Sequence, residues 1–414
     1  MNLVIAIVVL VCIAIMAFVV IAQTRAVLDK EAKSLLYNAA ERHANNIAPI
    51  FDESFALLEN TQGVISNFLQ AGVAIESKAI DGSLFSLLDT SNWAKYAFVY
   101  MFELEGGKPD ELFTKNGRSG YLRLYRDDEP SRVGGVRKVK PDAVVLDFPA
   151  AKKALDEKRS IFGVPFEVTL EGEIFHAVNA VVPLLNGDKL VGMVGLSINL
   201  DAIANGIVLN KQNSVFKDDF ISILSPGGVY AASDNMEHFG KKIADVNQSA
   251  SVKQIIDAQD NHQSGIFQYE NRYGQEAIGG VSTFEVWRNT GTFWSVLVSA
   301  PQDSVYAPLQ EISTTIVISI LVTFIVIVLI ISIFINRTLV MRLQHISHTL
   351  FEFFNYLNHK TNTPPQPLKI IAQDELGQMG SAINQNIEQT NKNLDQDTKA
   401  IEQSAQTAKE IESG

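Results

Sequence analysis

TTIVISILVTFIVIVLIISIFI, residues 314–335, carries no charge, no glycine and no proline. At about 1.5 Å per helical residue, some twenty such residues cross the roughly 30 Å hydrocarbon core of a bilayer. One other stretch reads the same way: LVIAIVVLVCIAIMAFVVIA, residues 3–22. A cleaved signal peptide would need a basic start, a shorter apolar core and a small-residue cleavage site. Met1 and Asn2 supply no basic side chain, so the first run reads as an uncleaved anchor. Two membrane helices (1–22 and 314–335) therefore bracket residues 23–313. Arg337 and Arg342 follow the second span, whereas Asp303 and Glu311 precede it. Basic flanks favour the cytoplasm, which puts 23–313 outside and the C-terminal tail inside. Arg25, Lys30 and Lys33 oppose this at the first span, diluted by Asp29 and Glu31.

The net charge of −12 argues against nucleic acid as a partner, because phosphate binding needs a basic face. The one cysteine, Cys12, lies inside the first span, so no disulfide framework or cysteine-based zinc site forms within one chain. No cofactor is expected. No nucleotide-binding, metalloprotease or nucleophile-elbow motif is present. His345 and His348 lie three apart on a helical stretch, without further ligands in sight, and read as a surface pair.

From residue 23 to about 72, apolar residues recur at three- and four-residue steps, the mark of a long helix. Pro49 is expected to kink or divide it. Short strand-like runs follow at 97–103, 121–125, 176–185 and 190–200, with turn chemistry at Gly106-Gly107, Asn116-Gly117 and Asn186-Gly187. A helix is expected at Pro149–Glu157. A second, shorter set has strands at 220–224, 230–233, 265–269, 275–284 and 294–300, with a helical stretch at 249–258. This is one antiparallel α+β module (73–205) followed by a smaller one (206–301).

The stretches FHAVNAVVPLLNGDKLVGMVGLSINL (175–200), DFISILSPGGVYAASDNMEHFGKKIADV (219–246) and GGVSTFEVWRNTGTFWSVLVSAP (279–301) resemble, in order and spacing, the double Cache sensing domain of bacterial receptors. The resemblance implies two PAS-like antiparallel-sheet modules on a long N-terminal helix, with a small-molecule pocket in the membrane-distal module.

Beyond the second span, a helical stripe (Leu343, Ile346, Leu350, Phe353, Leu357) meets a linker, NHKTNTPPQP (358–367), whose three prolines stop the helix. DELGQMGSAIN (374–384) then opens a second helix. This helix–linker–helix (336–390) resembles a HAMP relay domain, with Asp374, Glu375 and Gly377 as its signature. From Leu376, residues repeat every seven positions (Ile387, Leu394, Ile401, Ala408), the start of a coiled coil at 391–414. The repeat still runs at Gly414, so a further output region is expected to follow.

Together these resemble a methyl-accepting chemotaxis protein, which is not an enzyme. The resemblance implies a homodimer in the bacterial inner membrane, with its sensing domain in the periplasm. It would act on a chemotaxis histidine kinase and coupling protein through the region that follows. The same front end also serves membrane histidine kinases and cyclic-dinucleotide cyclases, the alternative reading.

Within 96–200, Tyr121, Arg123 and Tyr125 alternate on one strand and share a face. Arg123 could grip a carboxylate bidentately, or face solvent. Arg126 follows on the same strand. His176 and Asn179 sit in an otherwise apolar strand, as ligand contacts or satisfied core polar groups. Asp147 precedes a helix, as N-cap or ligand contact. The amino-acid-sensing members of the resembled family have an R-x-W-Y motif and an aspartate on the closing strand. This chain has no R-x-W-Y, and Ser197 stands where the aspartate would fall. The expected ligand is therefore an organic acid or amino-acid-like polar metabolite rather than an ordinary amino acid.

Overall fold

The computed structural model describes residues 2–413 apart from Asn116, of the expected Asn116-Gly117 turn, and Asn289. The chain divides into two compact units, residues 24–311 and residues 1–23 with 312–414.

The 24–311 unit is built on residues 24–70 of helix α1 (Asn2–Gln70). Leu36, Ala40, Ile47, Phe51, Phe55 and Leu58 form its fully buried stripe at helical spacing. Each of the larger side chains contributes about 1.5–3 kcal/mol by leaving water. Pro49 does not divide this helix. Pro49 and Asn45, whose carbonyl the proline leaves without an amide, both face solvent, where water can serve that carbonyl.

After α2 (Ser77–Thr90) comes an antiparallel sheet of eight strands: β1 (Ala94–Met101), β2 (Leu112–Lys115), β3 (Arg118–Asp127), β4 (Val136–Val139), β5 (Ile161–Phe162), β6 (Phe166–Leu170), β7 (Glu173–Asn186) and β8 (Lys189–Asn199). The order is β2-β3-β1-β8-β7-β5, with β4 on β3 and β6 on β7. Helix α3 (Pro149–Glu157) sits where expected. A short helix, α4 (Leu200–Ile203), leads to the second sheet: β9 (Phe220–Ser225), β10 (Val229–Ala232), β11 (Gly265–Glu270), β12 (Glu276–Glu285) and β13 (Phe293–Pro301), in the order β10-β9-β13-β12-β11. Helices α5 (Ile243–Val246) and α6 (Lys253–Asp260) lie between its strands in sequence.

Both sheets turn one face to a shared core with α1. Val99, Val182 and Leu196 of the first sheet and Ile223, Val296 and Val298 of the second join the α1 stripe there. The opposite face of each sheet has its own core. In the first, Phe98, Leu124 and Val181 meet Phe148 and Ala151. In the second, Leu224, Tyr269 and Leu297 meet Ile255. The helix backbone touches the second sheet at Gly280, where an added Cβ would lie 2.5 Å from the Leu36 carbonyl oxygen. Where the modules meet α1, Phe162 packs 4.8 Å from Phe51 and 5.5 Å from Trp294, centroid to centroid.

In the other unit, α1 and α7 (Gln302–Ile335) carry segments long and apolar enough to cross a membrane. Helix α8 (Met341–Leu357) and helix α9 (Glu375–Ser413) flank a non-helical 358–374 segment. Asp374 accepts the Gly377 amide at 2.9 Å, so it caps α9, and it takes both Arg342 terminal nitrogens at 2.6 and 2.5 Å. Arg342 and the Gly377 amide hold its carboxyl well below the usual carboxylate range. Gly377 has to be glycine because a Cβ there would lie 1.8 Å from the Ala372 carbonyl. Asp374→Ala should therefore loosen the start of α9, and amide exchange at residues 376–379 should quicken on the order of tenfold. Unchanged exchange would mean the cap is dispensable.

Candidate ligand-binding site

Strand register brings four polar residues into one row across the first sheet. Arg126 of β3 faces Tyr96 of β1, Tyr96 faces Ser197 of β8, and Ser197 faces Asn179 of β7. Successive strand residues alternate faces, and this row shares its face with Phe98, Ala177 and Val181, away from α1. Asn179 and Ser197 are fully buried, and neither the Asn179 amide nor the Ser197 hydroxyl has a hydrogen-bond partner. An unsatisfied buried polar group costs about 1–3 kcal/mol, so such a pair calls for an explanation.

The surroundings are small or aromatic. Gly163 donates its amide to the Asn179 carbonyl at 2.8 Å, and a Cβ on it would lie 3.2 Å from Ala150 Cβ. Phe98 packs edge-on to Phe148, Phe148 contacts Phe166, and Phe175 stacks on Tyr96. An amide brings two donors and an acceptor, and a hydroxyl brings one donor with acceptor capacity, all set in an apolar wall.

The charges at the row's end are committed to one another. The Arg126 guanidinium lies 5.8 Å over the Tyr96 ring and donates to its hydroxyl at 3.3 Å. It also ion-pairs with Asp128 at 2.6 Å, Glu173 at 2.8 Å and Glu171 at 3.5 Å. Lys95 pairs with Glu173. Burial pushes the Tyr96 phenol above its ordinary pKa, so it stays neutral.

The remaining candidates lie elsewhere. Tyr121, Arg123 and Tyr125 do share a face, but it is the opposite one, toward α2 and α1. Arg123 is buried rather than solvent-facing, and it is not free to grip a ligand carboxylate. Its guanidinium donates to Asp81 at 2.5 Å, Glu111 at 2.7 Å and the Ser77 carbonyl at 3.2 Å. Lys138 completes the cluster, 2.8 Å from Glu111 and 3.6 Å from Asp81. Burial and the Asp81 carboxylate beside it raise the pKa of Tyr125. Tyr121 packs against Gly107, where a Cβ would come within 2.5 Å of its ring. Asp147 neither caps a helix nor enters the site. The α3 N-cap is Phe148, and Asp147 is an exposed partner of Lys115 and Lys152. His176, three residues from Asn179, points to the opposite face. Its Nδ1 is 2.6 Å from Asp201, and its ring lies 4.0 Å from that of Phe239 in the second module.

Three of the eight candidates thus come together: Arg126, Asn179 and Ser197. Tyr96, the fourth member of the row, was missed; only the pairing of β1 with β3 and β8 reveals it. No group of three or more His, Cys, Asp or Glu side chains suited to a metal occurs among the described residues.

No family model matches the chain, and no curated protein matches it. Solved structures do. The periplasmic sensory domain of the Campylobacter jejuni chemoreceptor Tlp1 superposes with a TM-score of 0.60 at 20% identity, covering 68% of this chain and 99% of that domain. A structure named methyl-accepting chemotaxis protein X follows at 0.51 and 16% identity, covering 66% and 99%. An extracellular domain of a putative histidine kinase, mmHK1S-Z3, lies at 0.49 and 13%, covering 69% and 98%. Over about two thirds of its length the chain therefore shares the fold of a solved periplasmic sensory domain, and it carries two helices long and apolar enough to cross a membrane.

Proposed function

We propose that the chain is a transmembrane chemoreceptor that binds a small molecule at the Asn179–Ser197 row of its membrane-distal module. The observation that carries this reading is the fully buried, unpartnered amide–hydroxyl pair on the sheet face away from α1. A bound molecule would supply the missing hydrogen bonds. Because Arg123 and Arg126 are both occupied by the chain's own carboxylates, recognition would run through neutral groups rather than a ligand carboxylate. Binding would bias the packing of the two modules on α1, and α7 would carry the shift to a HAMP relay formed by α8 and α9, in a homodimer. The C-terminal side would lie in the cytoplasm and regulate a histidine kinase without catalysis by this chain.

A thermal-shift screen of the full chain in lipid nanodiscs against small metabolites tests the assignment. A compound at a hundred times its Kd should stabilise the protein by about 2.7 kcal/mol. Asn179→Ala should weaken a true hit by roughly tenfold or more. Hits that bind the variant as well as the parent chain would remove the site from this row.

A further inference from the structure

The two modules repeat one plan closely enough to be compared residue by residue. In each, a long hairpin (β7–β8, β12–β13) runs straight into a helix, starting at Leu200 and at Gln302. Aligning those starts sets Ser197 on Ser299, each three residues before its helix. The pairings then agree without adjustment. Ser197 faces Tyr96 and Asn179, while Ser299 faces Phe220 and Gly279. Two residues before Asn179, Ala177 faces Phe166; two before Gly279, Ala277 faces Tyr269. An arginine also lies over the matching aromatic in each, though from a different element: Arg126 from β3, Arg272 from the turn between β11 and β12. Arg126 lies 5.8 Å over Tyr96 and pairs with Asp128, and Arg272 lies 5.2 Å over Phe220 and pairs with Asp234 at 2.6 Å.

The two copies differ in the middle of the row. In the second module Tyr269 lies over Gly279, where an added Cβ would sit 3.2 Å from its ring, and its hydroxyl donates to Ser299 Oγ at 2.8 Å. Both residues are buried, so this serine is satisfied by a phenol from its own chain. In the first module the matching residue is Phe166, which has no hydroxyl and packs 5.0 Å from Phe148. Asn179 replaces the glycine, and Ser197 has no partner.

We propose that the membrane-distal site takes a small neutral ring compound bearing a hydroxyl donor, a phenol in its simplest form, which meets Ser197 as the Tyr269 side chain meets Ser299. Asn179, which has no counterpart in the second module, adds an amide to hold the hydroxyl oxygen or a neighbouring substituent. The second module is then self-occupied and holds its site closed with Tyr269. This inference rests on the distal-site reading above, and it specifies the ligand's chemistry.

The probe is p-cresol, the tyrosine side-chain analogue, with toluene as its match lacking the hydroxyl. Both are titrated into the full chain in nanodiscs while the melting temperature is read. Near saturation p-cresol should raise it by about 2–5 °C, and toluene should not. Ser197→Ala, which keeps the same lipid background, should abolish the p-cresol shift, and so should Asn179→Ala. In the second module, Tyr269→Ala should lower the melting temperature and p-cresol should recover part of the loss. Tyr269→Phe, which keeps the ring and folds with less disturbance, should gain nothing from p-cresol at that module. If p-cresol leaves the parent chain unmoved while other compounds shift it in an Asn179-dependent way, the ligand class is wrong and the distal site stands. If every shift survives both distal substitutions, the site itself is wrong.

Discussion

Arg123→Ala should cost the 24–311 unit about 3–5 kcal/mol, the usual penalty for removing one partner of a buried ion pair. The Arg123 side chain is 2% exposed and that of Glu111 4%, so neither can recover hydration where it stands. Burial alone would raise the Glu111 pKa, but Lys138, the Lys108 amide and Arg123 outweigh it and hold the carboxyl below its ordinary value. In the parent chain Glu111 therefore stabilises above its unfolded pKa, and that contribution fades as pH falls through the lowered folded value. Without Arg123 the balance tips toward burial, so the variant should lose less on acidification than the parent. The triple change Arg123→Met, Asp81→Asn, Glu111→Gln removes the buried charges together, leaves only the part-exposed Lys138, which can reach water, and should cost much less than Arg123→Ala. Urea unfolding of the full chain measures all three proteins. A loss under about 1 kcal/mol for Arg123→Ala would mean the cluster is hydrated, against its burial here.

The same arginine marks where sequence reading stops. Alternation correctly grouped Tyr121, Arg123 and Tyr125, because side-chain period along a strand is a local property. Which face that group occupied depended on α2, whose Ser77 and Asp81 lie more than forty residues away. Helix α2 was itself unread, as were β2, β4, β5 and β6. Each of these strands has five residues or fewer, too short for periodicity to stand out. The long strands β7, β8, β12 and β13 and the helix α3 were legible, being apolar runs bounded by turns or opened by Pro149. Three of the four residues of the site row were legible. Asn179 stood out as a polar residue within an apolar strand and Ser197 as standing where the resembled family has an aspartate, but nothing marked Tyr96 until register set it beside Ser197. Asp147 shows the converse: its position before Pro149 looked like a cap, yet the cap fell one residue later, on Phe148.

His43→Leu should raise stability at neutral pH and reduce the domain's sensitivity to mild acid. His43 lies on the buried stripe of α1, is 1% exposed, and neither ring nitrogen has a partner. Burial lowers its pKa from 6.5 to about 4, the neighbouring Arg42 charge adds to the effect, and Asp219 opposes it only in part. The native state therefore holds the ring neutral, whereas the unfolded chain protonates near pH 6.5. A lowered folded pKa means that the unfolded state binds more protons between these values, so stability is intact above pH 6.5 and falls as pH drops toward 4. At 1.36 kcal/mol per pKa unit, the loss across that window is at most about 3.5 kcal/mol. Leucine has no proton to take up and no orphan nitrogen to bury, so the variant should start about 1–3 kcal/mol more stable and lose less than the parent by pH 4.5, keeping the smaller contribution of His238, whose pKa burial also lowers. Melting curves of parent and variant from pH 7.5 to 4.5 decide the matter, and parallel curves would show that His43 reaches water. His43 follows Leu36 by two helical turns on α1. Protonation there would load the packing of α1 against the second sheet.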